Sequence, residues 1–125
     1  MATRSRIGME QPNGEVRSIY CHWDGYPEGV GATLQEHYVD PEKVEALIAL
    51  GDISYLRKYV APKPGVYHSF NEPCLDVTVA YHRDRLEDFR LPRVDASVES
   101  FSRSDIEEYG YVFTQSGEWK TFIVW

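Results

Sequence analysis

The chain has no excess of basic residues: 13 Lys and Arg stand against 20 Asp and Glu, a formal net charge of −7. That balance excludes the basic stripe on which a nucleic-acid binder relies, so no direct nucleic-acid binding is expected. No apolar run approaches the roughly 20 residues of a membrane span, and no secretion signal opens the chain, so no membrane association is expected. Cysteine is scarce. Cys21 and Cys74 lie far apart, without the spacing of a metal knuckle or a disulfide framework, and are expected as reduced thiols in a cytoplasm. Repeats and low-complexity tracts are also missing, which excludes a solenoid. No cofactor is implied.

What is present is a 125-residue chain, 42% hydrophobic, sufficient for a single domain spanning 1–125 with a real core. Aromatic residues make up 14% and include nine tyrosines, suited to amphipathic packing or a ligand surface. The acidity fits a solubilising surface, a basic protein partner, or a carboxylate-coated mimic of nucleic acid.

Residues 5–24 read as a β-hairpin about a two-residue Asn13-Gly14 turn. That register puts Glu10 opposite Arg17, Ile7 opposite Tyr20, Ser5 opposite His22 and Arg4 opposite Trp23. One face then carries Arg4, Arg6, Ile19, Cys21 and Trp23; the other carries Ser5, Ile7, Tyr20, His22 and Asp24. Apolar residues on both faces predict cover on both sides. Val30, Leu34 and Tyr38, four apart, predict a first helix. Asp40, Pro41 and Glu42 start a second, which buries Val44, Leu47, Ile48 and Leu50 and stops at Gly51. "DISYLRKY" reads as one or two further helical turns. Residues 61–73, with three prolines, read as a long loop. "CLDVTVAYH" reads as a strand, 97–108 as short helical pieces with Asp95 and Ser104 as caps, and 109–125 as a hairpin about Ser116-Gly117. The expected fold class is α+β, an antiparallel sheet of about five strands with two main helices packed on it.

His-x-Asp occurs twice, at His22/Asp24 and His82/Asp84. Were both on neighbouring strands, four ligand-type side chains would converge, as a metal-dependent hydrolase requires. Ser5, His22 and Asp24 share one expected face, but residues two apart on a strand are roughly 7 Å from each other, too far for a serine-type triad. "HRD" at 82–84 lacks every other kinase element and is coincidence. A binding site asks less of the geometry. It would use Arg4, Arg6, His22, Trp23, Asp24 and Tyr26, with cation and ring available to a phosphate or base.

"TRSRIG", "SIYCHWDGYPEGVG", "LQEHY", "DPEKVEALIALGDISYL" and "VAYHRDR" together resemble a family of small uncharacterised phage and prophage proteins. The resemblance covers most of the first 90 residues. It implies a protein made in a bacterial host cytoplasm during infection or lysogeny, and carries over no catalytic residue. Accessory phage proteins of this size often antagonise host defence. The expected function is therefore binding of a host defence protein or a small nucleotide-like ligand. The alternatives are a metal-dependent hydrolase on His22, Asp24, His82 and Asp84, or a structural or homo-oligomerisation module without a site.

Overall fold

A computed structural model describes residues 2–124 of the chain. The N-terminal hairpin pairs β1 (Ser5–Glu10) with β2 (Val16–Cys21), one residue out of the expected register: Ser5 faces Cys21, Ile7 faces Ile19 and Arg6 faces Tyr20. Pro12 is the cause. A two-residue loop would place it at a hydrogen-bonded ladder position, where it has no N–H to donate. Instead Pro12 and Asn13 form the centre of a turn, in which Gly14 N–H donates to the Gln11 carbonyl at 2.8 Å. Gly14 follows at φ 89°, and Gln11 N–H closes the loop on the Glu15 carbonyl at 2.7 Å. Since a Cβ at Gly14 meets nothing within 4 Å, Gly14→Ala should cost only the left-handed backbone strain, about 1–2 kcal/mol. A lower urea midpoint with an unchanged slope would read it; no shift would mean the loop relaxes to another turn.

The slip exchanges faces, because strand side chains alternate. Ser5, Ile7, Ile19 and Cys21 now point together into the main core and are fully buried. Arg6, Ser18 and Tyr20 share the opposite face with Val16. Cover on both sides is found as expected.

Val30, Leu34 and Tyr38 are buried along one side of a π-helical turn, Pro27–Gly31, and the helix α1 (Ala32–His37) that continues it. Gly29 is required there, since a Cβ would collide with the Asp24 carbonyl. In α2 (Pro41–Ala49) the Asp40 carboxylate accepts the Glu42 N–H at 2.9 Å, and Val44, Leu47 and Ile48 are buried. Gly51, at φ 76°, ends this helix.

The further helical turns expected after Gly51 are instead β3 (Ile53–Tyr55). His22 and Trp23 donate their N–H groups to the Ile53 and Ser54 carbonyls, so the end of β2 captures the segment as a parallel strand. The strand expected over 74–82 is cut to β4 (Val79–Ala80). Asp76 at φ 64° bends the chain, Leu75 is 88% exposed, and Tyr81 already begins the helix α3 (Tyr81–Arg85). Residues 61–73 form a loop, as expected. β5 (Arg93–Asp95) precedes α4 (Val98–Arg103), whose cap is Ser97, its Oγ accepting the Ser100 N–H; neither Asp95 nor Ser104 takes that place, and Ser104 ends the helix. β6 (Tyr109–Phe113) and β7 (Trp119–Ile123) form the last hairpin, and Trp125, expected in it, lies outside the described residues.

The strands lie in the order β4-β3-β2-β1-β6-β7, with β5 paired to β2. The fold is α+β, but the sheet is mixed. Both hairpins are antiparallel, while β1/β6 and β2/β3 run parallel. Tight turns dictate direction inside each hairpin; the long connection between them leaves it free. The main core joins Ile7, Ile19, Tyr111 and Phe113 of the sheet to Val30, Leu34, Tyr38, Val44, Leu47 and Ile48 of the helices. A second cluster of Val16, Phe101, Ile106 and Val112 covers part of the other face.

Candidate functional site

The shifted register assembles a polar strip on the outer face around Tyr20. Arg6 stands across from Tyr20 and anchors itself on β2, with Nε donating to Ser18 Oγ and Nη2 to the Ser18 carbonyl, both at 3.1 Å. Burial and then Arg93 lower its pKa, opposed by Asp52, Glu107 and Asp95. The Tyr20 hydroxyl lies 2.7 Å from His22 Nδ1. Burial pushes this phenol up against the pull of Arg4, so at neutral pH it stays protonated and shares a hydrogen bond with the imidazole whose direction follows the His22 tautomer. Arg4 is 52% exposed and reaches Glu107 at 3.7 Å. Glu107 sits at φ 67°, and burial and then Asp105 raise its carboxyl pKa.

Of the expected binding residues, the structure brings Arg4, Arg6 and His22 to Tyr20. Trp23 goes elsewhere, stacking on Tyr55 with centroids 5.8 Å apart. His22 stands edge-on to Trp23 at 4.8 Å, and the Arg57 guanidinium lies 4.5 Å from the Tyr55 centroid. Arg57, Tyr55, Trp23, His22 and Tyr20 thereby form a continuous half-buried stripe. Asp24, at φ 58°, turns the corner after the strand; its carboxylate accepts the hydroxyl of the exposed Tyr26 at 3.4 Å. Both are peripheral to the stripe.

His22, Asp24, His82 and Asp84 do not converge. His82 and Asp84 lie on α3, where two residues apart means different sides, not on a strand. His82 is exposed, and its Nδ1 donates to the Glu87 carbonyl at 2.7 Å. Asp84 points inward and is 2% exposed. It accepts the Ala80 N–H at 2.7 Å, faces His68 Nε2 at 3.2 Å, and holds Arg83 through both oxygens at 2.8 and 2.9 Å. Because Cys74 N–H donates to His68 Nδ1, the proton of His68 sits on Nε2, toward Asp84. Arg83 also donates to the Val60 and Thr78 carbonyls. These three side chains fasten the long loop to the body. Among the described residues no group of three or more His, Cys, Asp or Glu is placed to hold a metal ion.

The serine-type arrangement also fails, since the slip sends Ser5 to the core face, away from His22. Among the described residues Ser5 Oγ has no hydrogen-bond partner where it is buried, next to the Cys21 thiol across the strand pair. Burial pushes that thiol up to about 12. Native protein treated with iodoacetamide is therefore expected to leave Cys21 unmodified until denaturant is added. Mass spectrometry of the Cys21 peptide decides; alkylation without denaturant would mean that the core opens locally.

Beside Tyr20 lies a cavity of about 200 Å³ lined by Tyr20, Leu50, Asp52, Tyr81, His82 and the run 87–90. Sequence reasoning reached Tyr20 and His82 but missed Asp52 and the 87–90 run. Phe89 within that run, an aromatic among charges, was the available signal. No protein-family model matches the chain, and no curated protein and no solved structure matches it either. Among the described residues no helix is long and apolar enough to cross a membrane.

Proposed function

We propose that the protein is a phage-type accessory protein that acts by binding a host defence protein, with the Tyr20–His22–Trp23–Tyr55 stripe at the centre of the interface. The observation that carries the binding part is the stripe itself. Four rings and the Arg57 guanidinium remain partly exposed in one continuous surface. Aromatic and arginine side chains of this kind supply most of the binding energy at protein interfaces. The phage context rests on the sequence resemblance alone. A nucleotide-like ligand is the less favoured occupant, because Arg4 and Arg6 already have partners and the adjoining cavity carries three carboxylates.

Expression in a bacterium carrying a phage-defence system should restore plating of a phage which that system restricts. Trp23→Ala combined with Tyr55→Ala should abolish the restoration while leaving the circular dichroism spectrum unchanged. Restoration by the double variant equal to that by the parent would sink the assignment of the stripe. Failure to restore plating against every system in a broad panel would sink the function.

A further inference from the structure

The cavity beside Tyr20 combines ring surface with an excess of negative charge. Tyr20, Tyr81, His82 and Phe89 provide the rings, and Asp52, Glu87 and Asp88 the carboxylates, against one exposed arginine, Arg90. Among the described residues no cationic side chain lies within 4 Å of Asp52 or Asp88. Glu87 meets only the half-exposed Arg85, at 3.5 Å. One Asp52 oxygen is used, accepting the Tyr20 N–H at 3.0 Å, which fixes the carboxylate at the cavity wall. Phe89 is 42% exposed yet held in place: its ring sits against the Gly51 backbone, with His82 edge-on at 5.2 Å.

We infer that this cavity is a receptor for a single cationic side chain, an arginine or lysine of the bound protein partner. Ring faces attract a cation through their quadrupole, and the half-buried Asp52 and exposed Glu87 and Asp88 carboxylates add direct charge attraction. The cavity suits one side chain, being smaller than the roughly 300–1,000 Å³ of a drug-sized ligand site. A buried arginine anchor in such a pocket is a common hot spot, and a chain of net charge −7 steers a basic partner toward it. The inference rests on the proposed binding of a protein and names the chemistry that partner presents.

Argininamide is the probe, citrullinamide its uncharged counterpart, and AMP the nucleotide control. In amide-correlation NMR spectra of the full chain, argininamide should produce saturable shifts at Tyr20, Asp52, His82 and Phe89, and citrullinamide should not. Asp52→Asn retains an oxygen for the Tyr20 N–H but removes the charge. Together with Phe89→Ala, an exposed position, it should weaken argininamide by at least about fivefold per substitution. Absence of saturable shifts at these residues, equal shifts with citrullinamide, or AMP binding in place of argininamide would each overturn the inference. Should that happen while the Trp23/Tyr55 double variant still loses its effect on plating, the cavity assignment falls and the binding function stands.

Discussion

Asp84→Ala is expected to lower the stability of the fold by about 3–5 kcal/mol, the range for removing one partner of a buried ion pair. The substitution leaves the Arg83 guanidinium, the Ala80 N–H and His68 Nε2 without their shared acceptor in a site that is 2% exposed at Asp84 and His68. Thermal unfolding of the variant beside Asp84→Asn reads the effect. The asparagine keeps an acceptor oxygen and should lose less. A loss below about 1 kcal/mol would place Asp84 among ordinary surface ion pairs. The same carboxylate makes the fold sensitive to acid. Burial pushes its pKa up, but the hydrogen bonds from Arg83 and Ala80 and the charge of Arg83 outweigh burial and hold it below the usual value. A folded pKa below the unfolded one means stability that is fully present above about pH 4, where the unfolded carboxylate is ionised, and is lost as pH falls through the folded pKa. Asp84→Asn should flatten this part of the pH profile, and an unchanged profile would assign acid lability to other carboxylates.

Tyr38→Ala carries the second large effect, about 3–5 kcal/mol by analogy with other buried aromatic truncations. Tyr38 is fully buried, and its hydroxyl donates to the Arg57 carbonyl at 2.7 Å, so its ring ties α1 to the segment after β3. Its own carbonyl accepts the Trp119 Nε1–H at 2.8 Å, and the Lys43 ammonium lies 4.3 Å from its ring centroid. Tyr38→Phe keeps the ring and should cost about 1–2 kcal/mol, the worth of the hydroxyl's bond to Arg57 and its longer one to Thr78 Oγ1 at 3.3 Å. Burial raises this phenol to about 12, so no titration of it should appear in native protein below strongly alkaline pH. Equal losses in the two variants would shift the weight from packing to the hydroxyl.

Local sequence made some elements legible because the deciding chemistry is local. Asp40-Pro41-Glu42 and Gly51 bracket α2 with a cap, a first-turn proline and a left-handed stop. Val30, Leu34 and Tyr38 announce a buried stripe by spacing alone. Arg4, Arg6 and His22 were legible as candidates for the same reason: cation and imidazole crowd a short strand rich in aromatic residues. Their grouping was not. It hung on whether the turn begins at Pro12 or Asn13, and that one-residue difference moves Arg6 onto the face of Tyr20 and removes Ser5 from it.

His82 and Asp84 show the opposite limit. Alternation through Val77 and Val79 suggested that a strand continues to His82, yet Tyr81 begins a helical turn, because Asp84 reaches back to the Ala80 N–H and Arg83 to the Thr78 carbonyl. No periodicity reports a side chain that closes its own turn while clamping a loop 16 residues earlier through His68.

By itself, then, the sequence determined an acidic α+β chain with two hairpins, two main helices and a polar-aromatic centre near residue 22. Charge, turn residues and helix caps act over a few positions, so the chain displays them directly. Tertiary structure alone decided that β1 and β6 run parallel, that Asp84 is a buried fastening set apart from His22 and Asp24, and that Asp52 and Phe89 meet at Tyr20. Those outcomes join residues from 16 to 104 positions apart, and only the packing of the sheet against its covering segments selects which of them touch.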